Sequence, residues 1–347
     1  MEIRVYNSEL DFQGIVENQT SLIWTRKYFE PGDCELHIPI TADNLRLTRR
    51  GNLLWKKGKK EAAVIEDRKL EESDSRNEIT VKGRFLSSYM DRRLIKSTVY
   101  FNGTVEEAMR QLLQGVTEIP RVELGALQAF SDRVEFQATY KNLLVYEEKL
   151  GRSANLGFRF RPDFNEKKIY FEVYRGTDRT MSQGVNNRVI FSESYNNLND
   201  TIYRENAQLY KNVAYVGGEG EGSDRIYVQV GSASGLELRE VFVDAKDIQS
   251  ENMTTEQYRA ALETRGRETL DGAVISASFE CDTGADENFR YQINYDLGDV
   301  VTVKKKAWGI TEDLRITEIQ EIYEYGGRRI VPTFGNALPE KIDWSDA

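Results

Sequence analysis

The 347-residue sequence predicts a mainly β protein with α+β insertions. Two observations carry that reading. Apolar and polar residues alternate with period two in short runs toward both ends of the chain, and helical spacing appears between them behind capping boxes. The composition, 39% hydrophobic, 11% aromatic and 30% charged, supplies several modest cores and is too mixed for a disordered chain. The length suits roughly two to three domains of about 100–200 residues.

Residues 1–98 read as short strands and turns. Glu2 to Tyr6 alternates and breaks at Asn7-Ser8. Leu22-Ile23-Trp24 leads to Pro31-Gly32-Asp33, a turn in which proline pre-sets φ and glycine supplies freedom. Cys34 to Ile40 alternates as a half-buried strand, and Leu53-Leu54-Trp55 and Ala62 to Ile65 flank a hairpin signal at Lys57-Gly58-Lys59. Ser73-Asp74-Ser75 separates two further runs. Strands this short and this closely spaced indicate a barrel or sandwich.

From residue 99 the period changes. Thr104 and Glu107 form a capping box, Val105, Ala108, Met109 and Leu112 share one helical face, and Gly115 marks a stop. A second helix is expected from Asn142 to Leu150, ending at Gly151. The runs 158–160 and 169–174 then pair across a loop. Ala207 to Val216 and Arg225 to Val230 read as a hairpin with Gly217–Gly222 at its tip. A polar helix follows, capped by Thr254 and Gln257 and ended by Asp271-Gly272. Alternation resumes in Val300–Val303, Asp313–Ile322 and Arg329–Val331, so this helix is inserted between strands of a second β unit.

Charge and residue counts exclude several functions. There are 47 Lys and Arg against 57 Asp and Glu, a net charge of −10, which argues against duplex DNA binding as the main task. No basic region precedes an apolar run at the N-terminus, and no stretch approaches about 18 apolar residues, so neither a secretory signal nor stable membrane insertion is expected. Two distant cysteines, Cys34 and Cys281, give no disulfide framework and fit a reducing cytoplasm.

Individual motifs favour structural roles. The glycine run 217–222 alternates with Glu219 and Glu221, which repel phosphate, and leads into a strand instead of a helix, so it is not a P-loop. Cys34-x-x-His37 resembles half of a metal site, but alternation sends the two side chains to opposite faces. With His37 alone as candidate base, and no Gly-x-Ser-x-Gly elbow, nucleophilic catalysis lacks support. Asp282-Thr283-Gly284 matches the aspartic-protease triplet in one copy, where a turn is the simpler reading. The 18 Tyr, 15 Phe and 4 Trp fit a β-rich protein, and also a recognition surface. The basic clusters Arg49-Arg50, Lys56–Lys60 and Lys304–Lys306 read as solvated hairpins or intersubunit ion pairs. No catalytic, cofactor-binding or metal-binding residue is assigned.

Taken in order, several patterns resemble the tail-hub (baseplate hub, tail-associated) proteins of long-tailed bacteriophages and prophages. They are Gly32 to Pro39; Val81-Lys82-Gly83-Arg84 followed by Asp91-Arg92-Arg93; Gly217 to Arg225 with Leu262 to Leu270; Gly298-Asp299-Val300-Val301; and Pro332-Thr333-Phe334-Gly335. The resemblance implies two tail-tube-like β-barrel domains, at 1–98 and at 196–234 with 291–347. It also implies a decorating α+β domain at 99–195 and an inserted helix-containing domain at 235–290. Three such chains form a homotrimeric ring that continues the tail tube, in the virion, after synthesis in the bacterial host cytoplasm. The implied partners are tail tube, distal tail, tape-measure and receptor-binding proteins, with DNA passing through without specific binding. A carboxylate-lined lumen would repel that DNA. Relatives often carry an enzymatic C-terminal extension, whereas this sequence stops at Ala347, so no enzyme activity is expected. Two rival readings remain open on the residues alone: a cell-wall-degrading hydrolase and a carbohydrate-binding module.

Overall fold

The computed structural model describes residues 1–73, 76–251, 253–283 and 288–335. The first part runs β1 (Ile3–Tyr6), β2 (Phe12–Val16), β3 (Ser21–Lys27), β4 (Asp33–Pro39), α1 (Ala42–Leu47), β5 (Leu53–Lys56), β6 (Ala63–Ser73) and β7 (Arg76–Phe85). The middle part carries β8 (Leu94–Ile95), β9 (Val99–Thr104), α2 (Val105–Gly115), β10 (Val122–Leu124), β11 (Arg133–Ala138), β12 (Lys141–Asn142), α3 (Leu143–Ala154), β13 (Gly157–Asp163) and β14 (Lys168–Tyr174). The last part holds β15 (Ile190–Ser192), β16 (Asn199–Asn206), β17 (Val213–Gly217), β18 (Tyr227–Val230) and β19 (Glu240–Asp244). It continues with α4 (Thr255–Asp271), β20 (Ser276–Asp282), β21 (Val300–Lys305), β22 (Ile310–Glu324) and β23 (Gly327–Gly335).

One 13-stranded sheet dominates, in the order β16-β20-β23-β22-β3-β4-β7-β6-β5-β1-β2, with β21 and β15 branching from the first half of β22. Alternation decides which residues it buries. Cys34, Leu36 and Ile38 of β4 point into the core, while Asp33, Glu35, His37 and Pro39 point away. On the N-terminal side, Ile3, Val5 and Val16 from β1 and β2 pack with Leu22, Trp24, Leu36, Ile79 and Val81 from β3, β4 and β7. The seven strands therefore wrap one core. On the C-terminal side, Phe191, Val301 and Val303 from β15 and β21 pack with Ile316, Ile319, Phe279 and Phe334 from β22, β20 and β23. Neither wrap closes, because no ladder joins β2 to β3 or β15 to β16 among the described residues. The mainly β class is therefore present as one shared sheet, with the two halves joined where β3 pairs antiparallel with β22 from Lys27↔Glu318 to Leu22↔Tyr323.

The middle part is built around α2 and α3, and its core is continuous with Tyr6, Leu53, Ala62 and Val64 of the first part. Thr104 caps α2 through a complete capping box, and Asn142 caps α3. Gly151 does not end α3, contrary to the sequence expectation. The helix continues to Ala154 and stops at Asn155, whose φ of 54° is left-handed. Gly151 serves packing instead, since a Cβ there would lie 2.7 Å from the Leu156 carbonyl oxygen.

The hairpin β17–β18 forms as expected, but its strands do not join the large sheet. They pair with β19 in a separate three-stranded sheet, β18-β17-β19, backed by α4. Alternation identifies a strand without identifying its sheet. The helix α4 begins at its capping box and ends at Gly272, and the whole β17–α4 unit is inserted between β16 and β20, which are neighbours in the large sheet.

Candidate functional site

The β3–β22 seam is held from below by buried charge. Arg26, on the core side of β3, is 2% exposed. Its Nε and Nη2 donate to Glu61 Oε1 at 3.1 and 2.8 Å, and its Nη1 donates to Tyr291 OH at 2.8 Å and Asp296 Oδ1 at 2.6 Å. Next to it, Glu321 of β22 is fully buried and takes ion pairs from Lys56, Lys59 and Arg328, the last at 3.5 Å. Tyr323 OH donates to Glu321 Oε2 at 2.9 Å.

The cluster joins β3 and the β5–β6 turn of the first half to β22 and the 291–296 turn of the second. Burial pushes Glu321 up, but Lys56 and Lys59 overcome this and hold it near 2. Lys56 is pulled down to about 8, because burial and the neighbouring Lys59 outweigh its share of the single carboxylate. Glu321 is the anion of the pair at neutral pH.

Beside the seam, Tyr28 ties the two halves to the middle part. Its hydroxyl lies 3.0 Å from the Asn155 carbonyl and 3.2 Å from that of Tyr174, and it accepts from the Gly176 N–H at 3.3 Å. Gly298, at φ 92°, leaves room for the ring, since a Cβ there would come within 2.2 Å of it.

Eight strands, β6-β7-β4-β3 on one side of the seam and β22-β23-β20-β16 on the other, share an open face turned away from the cores. Register places Asp67, Glu71, Glu78, Glu35, Asp33, Glu318, Glu280 and Asp282 on that face, against Lys69, Lys82, Arg84, Lys27, Arg329 and Arg204. Carboxylates are in surplus. Burial raises Glu318 to about 7, with Lys27 opposing and Asp33 and Glu280 reinforcing.

Among the described residues both ends of this run are free. Beyond its bulge at Ile65/Asp67, β6 pairs only with β7, and β16 only with β20, among the described residues. The arrangement suits continuation of the sheet by another strand.

The residues singled out in the sequence fall as follows. Cys34 is buried in the core, whereas His37 lies on the open face between Glu35 at 2.9 Å and Glu78 at 3.1 Å. The structure does not bring Cys34 and His37 together as ligands. Gly217–Gly222 forms the β17–β18 tip, where the Glu219 N–H donates to Tyr258 OH at 2.7 Å. Asp282 ends β20 and Thr283 follows it, donating from Oγ1 to the Ile330 carbonyl at 3.2 Å; Gly284 lies outside the described residues.

Lys56 and Lys59 differ from expectation: instead of a solvated hairpin or an intersubunit pair, they are buried within one chain on Glu321. Their turn pattern was legible, but their anion lies 265 residues away from Lys56. Among the described residues no group of His, Cys, Asp and Glu is arranged to hold a metal ion, and no helix is long and apolar enough to cross a membrane.

The chain and its fold match known proteins. The family model described as Siphovirus ReqiPepy6 Gp37-like protein matches residues 2–336. The chain belongs to this family. A tail protein from Neisseria meningitidis MC58 superposes with a TM-score of 0.62 at 12% identity, covering 96% of each chain. The 43 kDa tail protein of prophage MuSo2 from Shewanella oneidensis gives 0.59 at 14% identity, over 96% of this chain and 98% of that one. Prophage tail protein gp18 from Listeria monocytogenes EGD-e gives 0.52 at 13% identity, over 97% and 95%. At such identities the likeness is one of fold: this family member has the fold of phage and prophage tail proteins. No curated protein sequence matches it.

Proposed function

We propose that this chain is a structural hub of a phage tail, three copies of which close a ring at the tail tip. The observation that supports this most is the eight-strand run whose two edges, Asp67–Ser73 of β6 and Asn199–Asn206 of β16, are unpaired among the described residues. The two edges differ, so pairing one with the other in the next copy is a heterologous contact, which closes when the rotation fits a ring. The two strand wraps that meet at the seam act as twin tube-like modules, so three chains present six. In this reading residues 1–98 and the strands flanking the β17–α4 insertion build the wall, and the 99–195 part projects from it.

The open face then lines the lumen. Its surplus of carboxylates gives passing DNA few cations to bind, which favours transit over retention. Tail tube, distal tail, tape-measure and receptor-binding proteins are the proposed neighbours, and the chain's part in the assembly is positional, without bond-making chemistry.

The test places one cysteine on each edge, Lys69→Cys and Arg204→Cys, both on the open face, and treats the full chain with a short bismaleimide. Native Cys34 and Cys281 are buried and stay unreacted. The double variant is expected to give covalent species that stop at three copies, and each single variant none. A ladder without an end, dimers alone, or no product at any protein concentration overturns the ring.

A further inference from the structure

The three-stranded sheet β18-β17-β19 is covered on one face by α4, through Ala214, Val216, Val228, Tyr258 and Leu262. Alternation leaves the other face to solvent, where polar residues are the rule. This face carries rings instead. Tyr215, Tyr227 and Phe242 are 38%, 51% and 56% exposed. Register sets Tyr215 between Gln229 and Phe242, and sets Gly217 between Tyr227 and Asp244.

Gly217 makes room for a guanidinium. A Cβ at that position would lie 2.7 Å from Arg225, whose Cζ is 5.6 Å from the Tyr227 ring centroid and 5.5 Å from that of Phe242. Arg225 Nε donates to the Gly218 carbonyl at 2.7 Å, and Nη2 donates to the Gly217 carbonyl at 2.8 Å and to Asp244. Its charge is thus matched within the chain. The rings around it keep outward faces of negative quadrupole, and Glu240 shares their side of the sheet while Asp244 is taken up by Arg225. An anionic ligand meets the Glu240 carboxylate and ring faces here, whereas a cation is attracted by both.

We propose that this face docks a basic protein segment, whose arginine or lysine side chains lie over Tyr215, Tyr227 and Phe242 beside Glu240. The proposal needs neither the ring nor its strand edges. Aromatic side chains with nearby charges are the groups that dominate protein interfaces, and the Glu240 carboxylate disfavours phosphate-bearing partners.

The test titrates the full chain into a fluorescein-labelled peptide of alternating arginine and glycine and follows anisotropy. The glutamate–glycine counterpart is the charge control, and dextran is the neutral glycan competitor. Saturable binding of the arginine peptide alone is expected. Tyr227→Ala and Phe242→Ala are each expected to weaken it about three- to tenfold, as lost cation–π contacts require, while Tyr227→Phe keeps it. Glu240→Lys weakens it as well. Failure of the arginine peptide to bind, equal binding by the Phe242→Ala and Glu240→Lys variants, or displacement by dextran overturns the proposal. Circular dichroism and melting check each fold; if a ring variant unfolds, the exposed Glu240→Lys change decides.

Discussion

Glu321 and Glu147 are both fully buried carboxylates, yet the seam surrounds the first with Lys56, Lys59 and Arg328, while the middle part leaves both oxygens of the second without a hydrogen-bond partner. Burial alone raises Glu147 well above the usual carboxylate range, which favours its neutral form. The seam joins segments nearly a whole chain apart, and a shared anion rewards one docking of Lys56 and Lys59, at the β5–β6 turn, on β22. Glu147 sits on α3, whose place is already set by Leu143, Leu144 and Leu150 against the surrounding apolar core. There the carboxyl is tolerated as a neutral group. Buried charge organises the first region and is incidental to the second.

The sharpest way to break this contrast is to remove each carboxylate. Glu321→Gln leaves Lys56 and Lys59 buried without their anion and is expected to cost about 3–5 kcal/mol in urea unfolding. Glu147→Met, similar in volume and free of polar atoms, is expected to stabilise by about 1–3 kcal/mol, the usual penalty of an unsatisfied buried group. A loss on Glu147→Met as large as that on Glu321→Gln would erase the distinction.

Acidity separates the two by sign. Glu321 has a lowered value, so its contribution is present above the unfolded value of 4.5 and is lost as pH falls toward about 2. Glu147 has a raised value, so the folded chain keeps a proton that the unfolded chain releases, and stability declines as pH rises above 4.5. Urea midpoints from pH 5 to pH 8 are expected to fall less steeply for Glu147→Met than for the parent, with the acid limb unchanged. The smallest expected effect is at the boundary between the regions. Tyr28→Phe removes a hydroxyl shared by Asn155, Tyr174 and Gly176 and is expected to cost about 1 kcal/mol by thermal or urea melts.

How much the sequence disclosed follows the range of each interaction. Thr104 with Glu107 and Thr254 with Gln257 are capping boxes within four residues, and both helices start where those boxes set them. The alternation of Cys34 to Pro39 likewise told which side chains face the core, and it correctly parted Cys34 from His37. Pairing partners were not legible, because a strand such as β17 alternates the same way whichever sheet it joins. Lys56 and Lys59 read as surface cations since nothing local marks Glu321 as their partner. The ring-bearing face of β17–β19 was hidden for the same reason: Tyr215, Tyr227 and Phe242 come together only through two ladders.

The pairing of β3 with β22 also fixes a timetable for the growing chain. Lys27 waits for Glu318, roughly 290 residues later, which at ribosomal speeds of about 5–20 residues per second means about 15–60 s. Throughout that interval the nascent N-terminal half displays unpaired N–H and C=O groups along one margin, a template for mispairing with other chains. Emergence of β22, rather than collapse of the first domain, is what ends this vulnerability.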